Sequence, residues 1–311
     1  MNSVHRSVLL NEAIEGLNLK DRATLVDGTF GGGGHSLEIC KKYPGVKIIA
    51  LDQDQGAFQK ARSKFENVDC EISFVNENFR NIDEVLKEKG IGSVDGIIFD
   101  LGLSSDQLSP PAGGSGRGFS FLKDEPLLMT MKDKGNNLPS PEDLTAMDIV
   151  NTWEEENLVK IFIGYGEEKF AKRIARAIVE GRERKKIETT FELVEIIRNA
   201  VPGVYRMGGK RSRLHFATRV FQALRIAVND ELGALEEGLK KGFEALGERG
   251  RIATITFHSL EDRIVKRFYK AKEKEGRARL VNKKVILATD EEIINNPRSR
   301  SGKLRILEKI K

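Results

Sequence analysis

Three aspartates, Asp27, Asp52 and Asp100, each close a short apolar run. The first run opens into Gly28-Thr29-Phe30-Gly31-Gly32-Gly33-Gly34-His35-Ser36 and then a helical pattern over Ser36 to Lys42. Glycines in such a turn let the backbone bend sharply and a ligand approach where a Cβ would stand in the way. A dinucleotide frame started at Gly31 reads Gly31, Gly33, Ser36, so its third glycine is missing. Asp27 would also oppose a pyrophosphate. An acid there suits a ligand with an ammonium and a sulfonium and no phosphate, which describes S-adenosylmethionine. Another nucleotide, or a tight structural turn, are the alternatives that the motif leaves open.

Asp52 follows Asp27 by 25 residues at the end of the next apolar run. That is the place where an acid accepts hydrogen bonds from ribose hydroxyls, the alternative being an N-cap for the helix Gln55 to Phe65. Phe79 emerges just past a third run and could stack on adenine or join the core. Asp100 opens Asp100-Leu101-Gly102-Leu103-Ser104-Ser105 after the fourth. An exocyclic amine on a base is a poor nucleophile because its lone pair is delocalised into the ring. It needs an acceptor for its N–H, and Asp100 is the candidate, against a plain turn cap. Gln107 stands just downstream. Methylation of a pyrimidine carbon would instead need a cysteine near these strand ends. Cys40 falls in the first helix of the pattern and Cys70 before the third run, so nitrogen is favoured.

A fifth run, Arg251 to Phe257, leads into His258-Ser259-Leu260-Glu261-Asp262-Arg263. Ser259 and Asp262 have capping-box spacing, and His258 is a candidate for the active site or a satisfied structural histidine. His5 and His35 share that ambiguity. The four histidines form no metal-ligand cluster in the sequence, and no metal is expected.

The elements that must position these groups alternate. Strands are expected over Thr24–Asp27, Val46–Asp52, Glu71–Val75 and Val94–Asp100, with helices between, which predicts a doubly wound parallel sheet. In such sheets ligands bind beyond the carboxyl ends of the strands. From Ser109 the pattern changes to a Pro/Gly-rich loop and then helices near Pro141–Val150, Glu154–Tyr165, Glu168–Gly181 and Phe191–Ala200, read as a helical insertion over residues 109–214. From His215 a long helical stretch, open to a break, runs to about Leu246 before the fifth strand. Val285–Ala288 and Lys303–Leu307 are expected as an antiparallel edge pair.

Length and composition frame this reading. The 311 residues allow one large domain or a domain with an insertion, and no apolar run approaches the roughly 20 residues that span a membrane. Two cysteines 30 positions apart suggest neither a disulfide framework nor a metal site, so a reduced, cytoplasmic setting is expected. The net charge of +5 conceals a segregation: residues 169–225 and 263–311 each carry +10, and the remainder −15. This pattern points to a polyanion-binding face, or else to solvated helix surfaces. Lys210, Arg211 and Arg213, with Arg298 and Arg300, are the candidate polyanion contacts.

Taken together these residues resemble the small-subunit ribosomal RNA cytosine-N4 methyltransferase family. The resemblance spans nearly the whole chain. It rests on Asp27-Gly28-Thr29-Phe30-Gly31 with Gly33-Gly34-His35-Ser36, on Asp100 to Ser105, and on Arg117-Gly118-Phe119-Ser120-Phe121. Tyr165-Gly166-Glu167-Glu168, Thr218 to Ile226, Phe257 to Arg263 and Asn296-Pro297-Arg298 extend it. It implies a Rossmann-like class I methyltransferase fold, a doubly wound, mostly parallel sheet with an antiparallel edge. Residues 1–108 and 215–311 would form that domain, and 109–214 an inserted all-helical domain. It implies S-adenosylmethionine as cofactor and N4-methylation of a cytidine in the decoding (P-site) region of 16S rRNA within the small subunit, with a homodimer left open. Cofactor contacts carried over by position are Gly33, Gly34, His35, Asp52, Phe79, Asp100 and Gln107; Asp27 and Gly31 join them from the loop itself. One departure stands out. Where the family usually reads Asp-Met-Arg-Met-Asp, this chain has Leu128-Met129-Thr130-Met131-Lys132. That keeps open a catalytically weak assembly factor, and the related chemistry of DNA amino-methyltransferases is a further alternative.

Overall fold

A computed structural model describes residues 7–103, 107, 116–132, 140, 142–206 and 215–311. It divides into two compact units, residues 1–102 with 232–311, and residues 103–231.

The first unit is built on an eight-stranded sheet. Its strands are β1 (Thr24–Asp27), β2 (Val46–Leu51), β3 (Cys70–Val75), β4 (Val94–Asp100), β5 (Leu246–Thr256), β6 (Ala278–Leu280), β7 (Ile286–Leu287) and β8 (Lys303–Lys309). The order is β3-β2-β1-β4-β5-β8-β6, with β7 also on β8. The first five strands pair in parallel, and β8 runs antiparallel to β5, β6 and β7. The apolar runs of β1 and β4 are near-continuous because both faces are covered, as a parallel sheet requires. Side chains of a strand alternate between faces. Leu25 and Ile98 therefore enter one core, together with Ile14 of α1 (Leu10–Leu17) and Ile39 of α2 (Gly34–Lys42). Val26, Ile97 and Phe99 enter the other, beneath α4 (Ile82–Glu88) and α11 (Glu231–Ala245). The long helix expected from His215 is indeed two, α10 (Thr218–Asn229) and α11, separated at Asp230 by a left-handed φ of 46°.

The second unit contains α5 (Ala146–Thr152), α6 (Glu155–Gly164), α7 (Ala171–Arg184), α8 (Thr190–Ala200), the short α9 (Gly203–Arg206) and α10. The seams fall at 102/103 and 231/232, so α10 groups with the helices and not with the sheet. Its Val220, Phe221, Ala223 and Leu224 fill the same core as Ile149, Phe162 and Ile174. The departure from the family pattern is absorbed here. Thr130 is buried, and Lys132 pairs with Asp143 at 3.1 Å.

One expectation is overturned. Cys40 and Cys70 form a disulfide, with their Cα atoms 5.4 Å apart. Spacing along the chain gave no reason to pair them. In space, α2 returns over the sheet and sets Cys40 beside the first residue of β3. Among the described residues no helix is long and apolar enough to cross a membrane.

Candidate active site

Strand register gathers the acids. Asp27 lies opposite Ala50 of β2 and Ile98 of β4, so Asp52 and Asp100 each project two residues beyond it at the same sheet edge. Between them runs the glycine turn. Gly31, at φ 50°, donates its N–H to Asp52 Oδ2 at 2.7 Å, and Asp52 Oδ1 accepts from Asp54 N at 2.8 Å. Asp54, not Asp52, caps the following helix, α3 (Gln55–Ala61), by accepting from Gly56 N.

Asp27 is 3% exposed, and both of its oxygens serve the turn: Oδ1 accepts from Thr29 N at 3.2 Å, and Oδ2 from Ser36 Oγ at 2.6 Å. It fastens β1 to α2 and contributes charge to the edge. Burial pushes its carboxyl up to about 6, against the lowering effect of those two bonds, and Asp52 adds to the rise.

Asp100 is held through its own backbone, whose N–H donates to Thr29 Oγ1 at 2.6 Å. Its Oδ2 lies 3.6 Å from His35 Nδ1, and its buried Oδ1 has no hydrogen-bond partner among the described residues. Burial, then the nearby charges of Asp27 and Glu261, push its carboxyl up to about 8. A buried acceptor lacking a donor is costly, and a ligand N–H would satisfy it. Phe79 is half-buried, its ring 5.1 Å from that of Phe99, and Gly238 lies so near that a Cβ there would meet Phe79 Cδ2 at 2.4 Å.

At the end of β5 the structure differs in detail from the expected capping box. The cap of α12 (Ser259–Lys274) is His258 with Glu261, not Ser259 with Asp262. Glu261 N donates to His258 Nδ1 at 3.4 Å, and Glu261 Oε2 accepts from Phe257 N and His258 N. His258 Nε2 is 3.2 Å from Glu261 Oε1 but off the hydrogen-bonding direction. Asp262 instead pairs with Arg305 at 2.8 Å. Two contributors carry no distinct signal in the sequence. Thr29 sits in a turn dominated by its glycines. Glu261 competes with the Ser259/Asp262 spacing.

Gln107 is half-buried and belongs to the second unit. Arg298 and Arg300 are exposed on the turn Pro297–Ser301, which is anchored by buried Ser299. Lys210, Arg211 and Arg213 lie outside the described residues, as does His5.

The donor set fits S-adenosylmethionine. Acids converge on a turn whose ligand would carry positive charge, Asp52 stands at the strand end where ribose hydroxyls are held in such folds, and the buried Asp100 Oδ1 lacks a hydrogen-bond partner among the described residues. Residues 2–310 match the model of the MraW methylase family. Among solved structures, the chain is similar to a protein of Clostridium thermocellum assigned as an rRNA methylase, at 11% identity, covering 99% of this chain and 100% of that one, with a TM-score of 0.47. An rRNA methylase from Streptococcus thermophilus is similar at 10% identity over 99% and 100% of the two chains, with a TM-score of 0.44. A Streptococcus mutans protein assigned as a methyltransferase, in complex with SAH, is similar at 12% identity over 99% of each chain, with a TM-score of 0.44.

Proposed function

The chain belongs to the MraW methylase family, and from that premise we propose that it methylates N4 of a cytidine in the decoding region of 16S rRNA, within the small ribosomal subunit. It is an S-adenosylmethionine-dependent rRNA methyltransferase. The observation that carries the finer reading is the buried, unpartnered Oδ1 of Asp100 at the strand edge shared with Asp27 and Asp52. S-adenosylmethionine supplies an electrophilic methyl group when bound. Asp52 would take the ribose hydroxyls, and Phe79 the adenine. Gly31, Gly33, Gly34 and His35 would line the remainder, and the family resemblance adds Gln107 to the same ligand. Asp100 would accept an N–H of the cytosine amine, which draws the nitrogen lone pair out of conjugation with the ring and takes up the developing positive charge. His258 would face the base while its Nδ1 keeps α12 capped. The target base must leave any stack to reach this edge.

Labelled S-adenosylmethionine offered with small subunits, free rRNA and DNA, followed by nucleoside analysis, tests the proposal. N4-methylcytidine from the small subunit is the expected product. Label in DNA, at another atom, or nowhere would point to a DNA amino-methyltransferase, a different specificity, or a silent assembly factor.

The basic segments would hold the RNA backbone. Neutralising Arg298 and Arg300 together should weaken RNA binding and flatten the plot of log affinity against log salt by about one unit for each phosphate no longer held. Titrations at several salt concentrations measure this slope, and an unchanged slope removes the turn from the interface.

A further inference from the structure

The Asp100 carboxyl has a neighbour whose role the cofactor contacts do not explain. His35 is 5% exposed and sits in the first turn of α2. Its Nε2 lies 3.3 Å from the carbonyl oxygen of Val8. A carbonyl can only accept, so Nε2 carries the proton, and in the neutral ring Nδ1 presents its lone pair. Nδ1 lies 3.6 Å from Asp100 Oδ2, just beyond hydrogen-bond length. Two acceptors this close favour a proton on one of them, and closing by a few tenths of an ångström would let the other accept it.

The Val8 carbonyl that fixes this arrangement is itself held. Val8 and Leu9 are buried, and Leu9, at a left-handed φ of 50°, donates its N–H to Glu292 Oε1 at 2.8 Å. Gly302 lies so close that a Cβ there would meet Val8 Cγ1 at 2.8 Å. A non-glycine residue in the left-handed region persists only when its surroundings over-determine it.

We infer that His35 is a positioning residue that completes proton removal from the reacting amine, acting through Asp100. This rests on the amine-methylation reading above. Before reaction the pair Asp100–His35 holds one proton between Oδ2 and Nδ1. As the C–N bond to the methyl forms and the C–S bond breaks, the sulfonium's positive charge passes to the amine. The amine's proton moves to Asp100 Oδ1, and the proton on the Oδ2 side moves to Nδ1. The pair ends as a neutral carboxylic acid beside an imidazolium, one proton richer, and the sulfur is left a neutral thioether. The ionisable groups acting on Asp100 are Asp27 from β1, His35 from α2 and Glu261 from α12; the two carboxylates favour a cation at this place. Separations of this size tighten as a reactive complex forms.

His35→Gln tests the inference, because a glutamine amide can keep the donor to Val8 O while removing the basic Nδ1. Three readouts are needed: the single-turnover rate from pH 5.5 to 9.5, the calorimetric affinity for S-adenosylmethionine, and imidazole 15N resonances of the cofactor-free chain with and without Asp100→Asn. The expected result is a rate loss of about 10²–10³ that lessens at high pH, where hydroxide can take the proton. Cofactor affinity should fall by less than the rate does, since Gln keeps the donor to Val8 O that seats the turn. The wild-type ring should show the Nε2–H tautomer, with a titration that Asp100→Asn alters. A variant with the wild-type rate and profile overturns the inference. So does a rate loss matched by an equal affinity loss on an unchanged profile, or an Nδ1–H tautomer indifferent to Asp100→Asn. Should the wild type methylate another atom, or nothing, the amine reading fails by itself. The resonance measurement still decides whether the pair shares a proton, and it does not depend on the variant folding.

Discussion

Asp100→Asn should slow methyl transfer by about 10²–10⁴ while leaving the sheet intact. The substitution is isosteric, and the bond that seats this residue runs from its backbone N–H to Thr29 Oγ1, so β4 keeps its end in place. What is lost is the acceptor. An amide oxygen can still take a hydrogen bond, but it cannot take the proton or neutralise charge growing on the amine. A single-turnover assay with saturating cofactor isolates this step, and a rate within threefold of wild type would show that the amine is activated elsewhere. The pH dependence of stability gives an independent signature. The folded Asp100 carboxyl is raised to about 8, well above its ordinary value of 3.8. Its contribution to stability is therefore complete below about pH 4 and is lost as pH rises towards 8. Asn cannot ionise and escapes that loss. Asp100→Asn should accordingly melt at a higher temperature than wild type at pH 8.5, by a few degrees, and the difference should shrink towards pH 5. A variant both slower and more stable at alkaline pH is the pattern of a site that sacrifices stability for function.

Much of this site is legible in the sequence because each acid terminates an apolar run. An apolar run ending in an acid fixes both the strand and which of its ends is wet. Register between neighbouring parallel strands then brings the ends together, as Asp27 opposite Ile98 illustrates. What escapes is contact between elements far apart in sequence. Cys40 and Cys70 read as unpaired thiols because nothing in their spacing describes how α2 returns over the sheet. The start of β5 at Leu246 reads as helix, since Gly247-Glu248-Arg249-Gly250 offers no alternation; the register there slips between Val94 and Gly96. The cap of α12 misleads for a different reason. Ser259 and Asp262 satisfy the spacing rule, and Asp262 is drawn instead to Arg305 on β8, 43 residues away. Local rules identify candidates, and tertiary charge decides between them.

Gly33→Ala should weaken cofactor binding about 10- to 100-fold and also lower stability. Gly33 has φ 71°, and a Cβ built there would meet Phe30 Cζ at 2.6 Å and Cε2 at 2.9 Å, with Phe65 at 3.2 Å. The Phe30 ring cannot retreat. It is 3% exposed and packs against Phe58, Phe65 and Phe74, with ring centres 5.3–5.9 Å away. The left-handed conformation costs a residue with a Cβ about 1–2 kcal/mol, and a collision with a packed core about 1–3 kcal/mol more. The turn can relieve both by shifting, and that shift is what destroys the site. Gly33 is the N-cap of α2 and donates to Phe30 O at 2.8 Å, so its movement carries Gly31 away from Asp52 and His35 away from Asp100. Each 1.4 kcal/mol of misfit lowers affinity about tenfold, which puts the expected loss near 10- to 100-fold. Gly90→Ala is the matched control. Its φ is 66°, nothing lies within 4 Å of the added Cβ, and it sits after α4, away from the turn. It should share the backbone strain and leave cofactor affinity unchanged. Calorimetric titration and thermal melts of the two variants separate strain from collision. Equal cofactor affinities for Gly33→Ala and wild type would mean that the turn is a structural bend and not a ligand cradle.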